Sequence, residues 1–116
     1  MSDQITLTLP TDTRFRGVAT LVLGGVGTRL NLPYERVDDL QLAVLSLLEA
    51  SGGDRVTVEV AAEPEKILVS VGPLDERSAA DDGLARVLDP LVDSVERSAR
   101  DEGVWMTLRL ERAPAS

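Results

Sequence analysis

A chain of 116 residues that is 43% hydrophobic can bury one continuous core but not two. Twenty acidic residues against 12 basic ones give a net charge of −8, with Lys66 the only lysine, a balance that repels a phosphate backbone and argues against nucleic acid as a partner. With no cysteine and no histidine, disulfides, thiolate nucleophiles, zinc–sulfur sites and the commonest general base are all removed, so any chemistry falls to carboxylates, hydroxyls or Lys66.

The opening MSDQITLTLP lacks the basic-then-apolar order of a secretory signal. The longest mostly apolar run, GVATLVLGGVG at 17–27, falls short of the roughly 18 to 20 residues that span a bilayer. A cytoplasmic protein with no membrane contact is the expectation. Residues 4–9, QITLTL, alternate polar and apolar as a half-buried strand does, and Pro10 ends it. Thr11 and Asp12 offer N-cap oxygens to a first helix over about 12–30, with Phe15, Val18, Leu21, Val22, Val26 and Leu30 as its apolar stripe. Gly24 and Gly25 inside it point to a close helix approach or a kink.

A second helix follows the Asn31-Leu32-Pro33 loop, over about 34–51, and stops at Gly52-Gly53; Val37, Leu40, Ala43, Val44, Leu47 and Leu48 share one face. Asp38 and Asp39 near its start favour the helix dipole. Residues 55–61 and 66–71 alternate with period two around Ala62-Glu63-Pro64-Glu65, a hairpin. Residues 72–82 are rich in turn formers, and the acidic group Asp75, Glu76, Asp81 and Asp82 reads as a solvated loop or a weak cation site. A third helix is expected over about 83–100, with Leu84, Val87, Leu88, Leu91, Val92 and Val95 inward and a kink or break at Pro90. The last strand, 104–111, sends Trp105, Thr107 and Arg109 to one side and Met106, Leu108 and Leu110 to the other. The sum is one α+β domain over 1–112 with a flexible tail at 113–116: a two-layer sandwich of a mostly antiparallel four-stranded sheet with three helices on one face.

Four stretches carry a resemblance: VATLVLGGVGTRLNLPYERVDDLQLAV at 18–44, the strand pair at 56–71, GLARVLDPLVDSV at 83–95 and GVWMTLRL at 103–110. Together they resemble the anti-sigma-factor serine kinases, within the histidine-kinase-like (GHKL) ATPases. The resemblance implies that fold, and it implies where a nucleotide site would lie. The family's general-base glutamate falls on Ser46 and its magnesium-binding asparagine on Ala50. Its adenine-reading aspartate, two residues before a glycine, corresponds to the stretch Gly72-Pro73-Leu74-Asp75. There Pro73 offers no acceptor and only Asp75 could reach back. Its glycine-rich phosphate cradle is reduced to Asp82-Gly83-Leu84. Serine without an activator is no base, and alanine gives magnesium no oxygen. The expectation is a degenerate site with no catalytic residue, no metal and no cofactor, in a regulatory module that binds a sigma factor, its antagonist or a kinase homologue. The alternatives are an ATP-binding anti-sigma serine/threonine kinase that uses Mg-ATP in an unconventional site, and a structural subunit of a larger assembly.

Leu42 and Leu45 lie away from the buried stripe of the second helix and, with Trp105, are the candidate interface residues. They and the half-covered sheet lead to an expected homodimer. If charge at both leucines left it intact, the interface would move to the sheet or the first strand.

Overall fold

The structure, a computed structural model, describes residues 3–112; the expected tail at 113–116 lies outside the described residues. In chain order the elements are β1 (Asp3–Pro10), a 3-10 turn (Thr13–Phe15), α1 (Arg16–Arg29), α2 (Tyr34–Glu49), β2 (Arg55–Ala62), β3 (Lys66–Leu74), α3 (Glu76–Ala79), α4 (Asp82–Leu88), β4 (Ser94–Arg100) and β5 (Gly103–Glu111). The strands form one antiparallel sheet in the order β1-β2-β3-β5-β4. The α+β class and the antiparallel sheet stand as read from the sequence. The counts do not: among the described residues there are five strands where four were expected, and four α-helices where three were.

The extra strand comes from residues 94–100, read from the sequence as the second half of a third helix. Pro90 has no N–H to continue a helix. After it Leu91 and Val92 both donate to the Leu88 carbonyl (2.9 and 3.2 Å), and Asp93 donates to the Arg109 carbonyl at 2.9 Å, which delivers the chain to the sheet. The Asp93 carboxylate fixes that arrival, accepting from Arg36 Nη2 (2.7 Å) and from the Glu111 backbone (2.6 Å). Farther back, residues 72–74 extend β3 and 76–79 form α3, both inside the stretch read as loop.

The core lies between the helices and one face of the sheet. Val58 and Val60 of β2, Val69 and Val71 of β3, and Met106, Leu108 and Leu110 of β5 are buried there with Leu23 of α1 and Leu40, Val44 and Leu47 of α2. The α2 stripe matches its periodicity. That of α1 is rotated: Ala19, Leu23, Val26 and Gly27 face inward, while Val18 and Leu21 face out. Apolar residues surround α1, so spacing alone could not set its phase. Val87 and Val95, also assigned inward, are exposed.

Gly27 sets how closely α1 approaches α2. A Cβ on it would lie 2.5 Å from Cγ2 of Val37, whereas one on Gly25 would meet nothing within 4 Å.

The other face of the sheet carries no helix among the described residues, yet Trp105 on it is only 3% exposed. Its ring lies against Gly72 on β3, where any side chain would collide with it. The Arg100 guanidinium covers it, 3.8 Å from the ring centroid, and bonds Glu59 of β2 at 3.1 and 3.2 Å. This bridge reaches from β4 across two strands. It also leaves the indole N–H buried without a hydrogen-bond partner.

Two outcomes follow from this packing. Gly27→Ala is expected to cost about 1–3 kcal/mol in urea unfolding, by overpacking. Gly25→Ala should gain up to about 1 kcal/mol from helix propensity alone. Arg100→Ala should shift the emission of the single tryptophan to the red and cost about 1 kcal/mol, the worth of a partly exposed cation–π contact with its ion pair.

Candidate functional site

The positions singled out by resemblance converge where α2, the end of β3 and the short helices meet. Ser46 and Ala50, one turn apart on α2, and Gly83 at the start of α4 line a shallow depression of about 250 Å³ with Glu49, Ser78, Asp81, Leu84 and Val87. Pro73 and Asp75 line an adjoining one of about 470 Å³ with Gly52, Gly53, Leu74, Glu76, Arg77 and Glu102. A single backbone bond joins the two: Asp75 N–H donates to the Ala50 carbonyl at 2.9 Å. Gly52 permits it, since a Cβ there would stand 3.0 Å from Cβ of Asp75.

Several polar groups at this junction are already engaged with the fold. Ser46 Oγ donates to the Leu42 carbonyl one turn back, at 2.9 Å. Asp75 caps α3, accepting from Ser78 N–H at 3.1 Å and from Ser78 Oγ at 3.2 Å. Asp81 caps α4, accepting from Gly83 N–H at 2.9 Å. Ala50 is buried, with 7% exposure, at the C-cap of α2. A helix start that could hold phosphate through free N–H groups is thus occupied by the chain's own aspartate. Glu49 and Asp81 line the depression that holds Ser46, and no Lys or Arg does. Glu49 pairs with Arg16 at 3.8 Å. Of the junction's groups, the Ser46 and Ser78 hydroxyls and the Asp75 and Asp81 carboxylates are thus bonded within the chain. Among the described residues no group of three or more acidic side chains is placed to hold a metal ion. No helix there is long and apolar enough to cross a membrane.

Asp12, the cap of the 3-10 turn, is held below the usual carboxylate range by the Arg14 backbone N–H and then by the Arg14 side chain. It stands apart from these depressions.

The interface candidates are dispersed. Leu42 is 54% exposed on the outer crest of α2, Leu45 is partly buried against the core, and Trp105 is covered by Arg100 on the opposite side of the molecule.

A larger feature went unread in the sequence. A groove of about 530 Å³ runs between α1 and α2, lined by Leu21, Gly24, Gly25, Thr28, Tyr34, Val37, Asp38 and Gln41 among others. Gln41 holds its walls together, donating from Nε2 to the Thr20 carbonyl at 2.9 Å. Leu21 and Tyr34 stand on its rim with 77% and 82% of their surface exposed, and Val18 continues the apolar line along α1. The signal for it lies in composition: α1 carries no charge between Gly17 and Thr28, in a chain of which 28% is charged.

The chain matches no family model and no curated protein.

Occupied helix starts and an acidic lining give a direct expectation for nucleotide. A ligand at about 100 times its dissociation constant adds about 2.7 kcal/mol of stability, worth several degrees or more in melting temperature for a domain of this size. Millimolar Mg-ATP is expected to leave the melting temperature in place. A saturable rise of that size would assign the junction to nucleotide.

Proposed function

We propose that the chain is a regulatory protein-binding module of the histidine-kinase-like ATPase fold, related to the anti-sigma-factor serine kinases, that acts by partner contact without a phosphotransfer step. The observation that carries this is the outer side of α1. A helix apolar all round belongs where both its sides are covered. Here only one side is covered within the chain, and the other presents Val18 and Leu21 beside a glycine-floored groove. The engaged state of Ser46, Asp75 and Asp81 is consistent with a site that has no turnover to perform.

The groove suits an amphipathic helix of a protein partner. Gly25 lets another backbone come close, and Leu21 and Tyr34 supply apolar anchors. Glu35, Asp38 and Asp39 at the start of α2 favour a partner with basic flanks. By the resemblance, that partner is a sigma factor, its antagonist or a kinase homologue in the cytoplasm.

Binding of the purified chain to such partners from the same cell tests this, with Leu21→Asp and Tyr34→Asp as variants. Burying one large apolar side chain is worth about 1.5–3 kcal/mol, so each variant is expected to weaken binding tenfold or more. Their melting temperatures should stay near that of the parent, because both residues are exposed. Unchanged affinity in both variants would remove the groove from the function, and transfer of label from ATP to a partner serine would make the chain a kinase.

A further inference from the structure

One wall of the α1–α2 groove is neutral, since α1 carries no charge between Gly17 and Thr28. Among the described residues that line the groove, Asp38 is the one that bears a charge. No ion pair of the described residues uses its carboxylate, whereas Arg36 and Arg16 are held by Asp93 at 2.7 Å and by Glu49 at 3.8 Å. Asp38 and Tyr34 stand one turn apart on α2, a spacing that sets Cβ atoms roughly 5–6 Å from each other. Helical side chains lean toward the start of their helix, so the Asp38 carboxylate leans toward the tyrosine. The Tyr34 side chain is itself 82% exposed. An aromatic ring and an unpaired carboxylate are thus offered side by side in an otherwise neutral groove.

We infer that Tyr34 and Asp38 form a cation subsite that takes one arginine of the partner helix, its guanidinium stacked on the Tyr34 ring and donating to the Asp38 carboxylate. The inference rests on the reading of the groove as a helix-docking site, and it names what that helix must carry. Arginine fits both groups at once, because its planar fork lies flat on an aromatic face and matches a carboxylate with two N–H donors. A lysine ammonium meets the carboxylate as a point charge and leaves the ring uncovered. Glu35 and Asp39 add negative charge around Asp38, which offsets the positive end of the helix dipole. A lone charge in a neutral groove also fixes register. With the arginine at this end, a small residue of the partner falls against the Gly25 floor, where a Cβ would meet nothing within 4 Å, and an apolar one reaches Leu21. An acidic side chain in the arginine's place would face Glu35, Asp38 and Asp39 together.

The probe is a phage-displayed helical hairpin, randomised on one helix face and selected on the full chain. Selected helices are expected to share an arginine at one fixed position. Loss of the carboxylate in Asp38→Asn, or of the ring in Tyr34→Ala, should each weaken their binding about tenfold, as for a desolvated cation contact. Tyr34→Phe keeps the ring and should bind like the parent. Added salt should weaken binding to the parent more than to Asp38→Asn. Asp38→Lys should reject the selected helices, and changing their arginine to glutamate should restore binding to that variant. The restoration separates a lost contact from a lost fold. Helices that Leu21→Asp abolishes but that share no arginine, or that bind Asp38→Asn and the parent alike, would overturn the subsite and leave the groove. Helices indifferent to Leu21→Asp as well would remove the groove, and the subsite with it.

Discussion

Much of this molecule depends on how near α1 can come to α2, and that distance is set where Gly27 meets Val37. The close approach seats Leu23 and Val26 over the sheet beside Leu40, Val44 and Leu47, which completes the core. It also fixes the rotation of α1, so that Val18 and Leu21 have no sheet to cover and turn outward. Two and three residues before the contact, Gly25 and Gly24 leave a floor without side chains, and the groove opens there. One glycine contact therefore organises both the buried side and the apolar outer side of the helical layer.

The contrast between two ends of α2 explains the character of the junction near Ser46. At its N-terminal end the groove mixes apolar residues with Thr20, Thr28, Asp38 and Gln41. At its C-terminal end Ser46, Asp75 and Asp81 are each bonded to a group within four residues, and one backbone bond ties Asp75 to Ala50. Saturation of this kind rigidifies short helices that could not persist alone, since α3 has four residues and α4 seven. The same carboxylates cannot hold the helix starts and leave them open to an anion.

The sequence made some of this legible and hid the rest for physical reasons. The α2 stripe, the β2–β3 hairpin and the two-sided β5 were readable because each buries one face against another layer, which imposes a period on the side chains. Residues 94–100 were not, because an edge strand exposed on both sides is under no such demand. SVERSAR alternates nothing, its Ala, Glu and Arg suit a helix, and Val95 continues the spacing of Leu88, Leu91 and Val92. Only Pro90 pointed to a break. The phase of α1 was hidden for the opposite reason, apolar residues on every side. Of the site, the positions Ser46, Ala50, Pro73, Asp75 and Gly83 came from resemblance and lie close together in the structure. The use of Asp75 and Asp81 as caps was open to a reading by local rules, for each precedes a helix start. Pairing of Arg100 with Glu59 over Trp105 was not, because it joins residues 41 apart through the sheet order.

The charges along β4 have a consequence for how the sheet meets other strands. A sheet with two receptive edges can recruit a copy at each side, and the product is an open filament with no natural end. Here one edge bears Glu96, Arg97 and Arg100, with Arg97 turned toward the core side, and refuses further strands. Charge on this rim thus works against pairing with a further strand there. The difference between the two rims thus works against end-to-end stacking of sheets into an open filament.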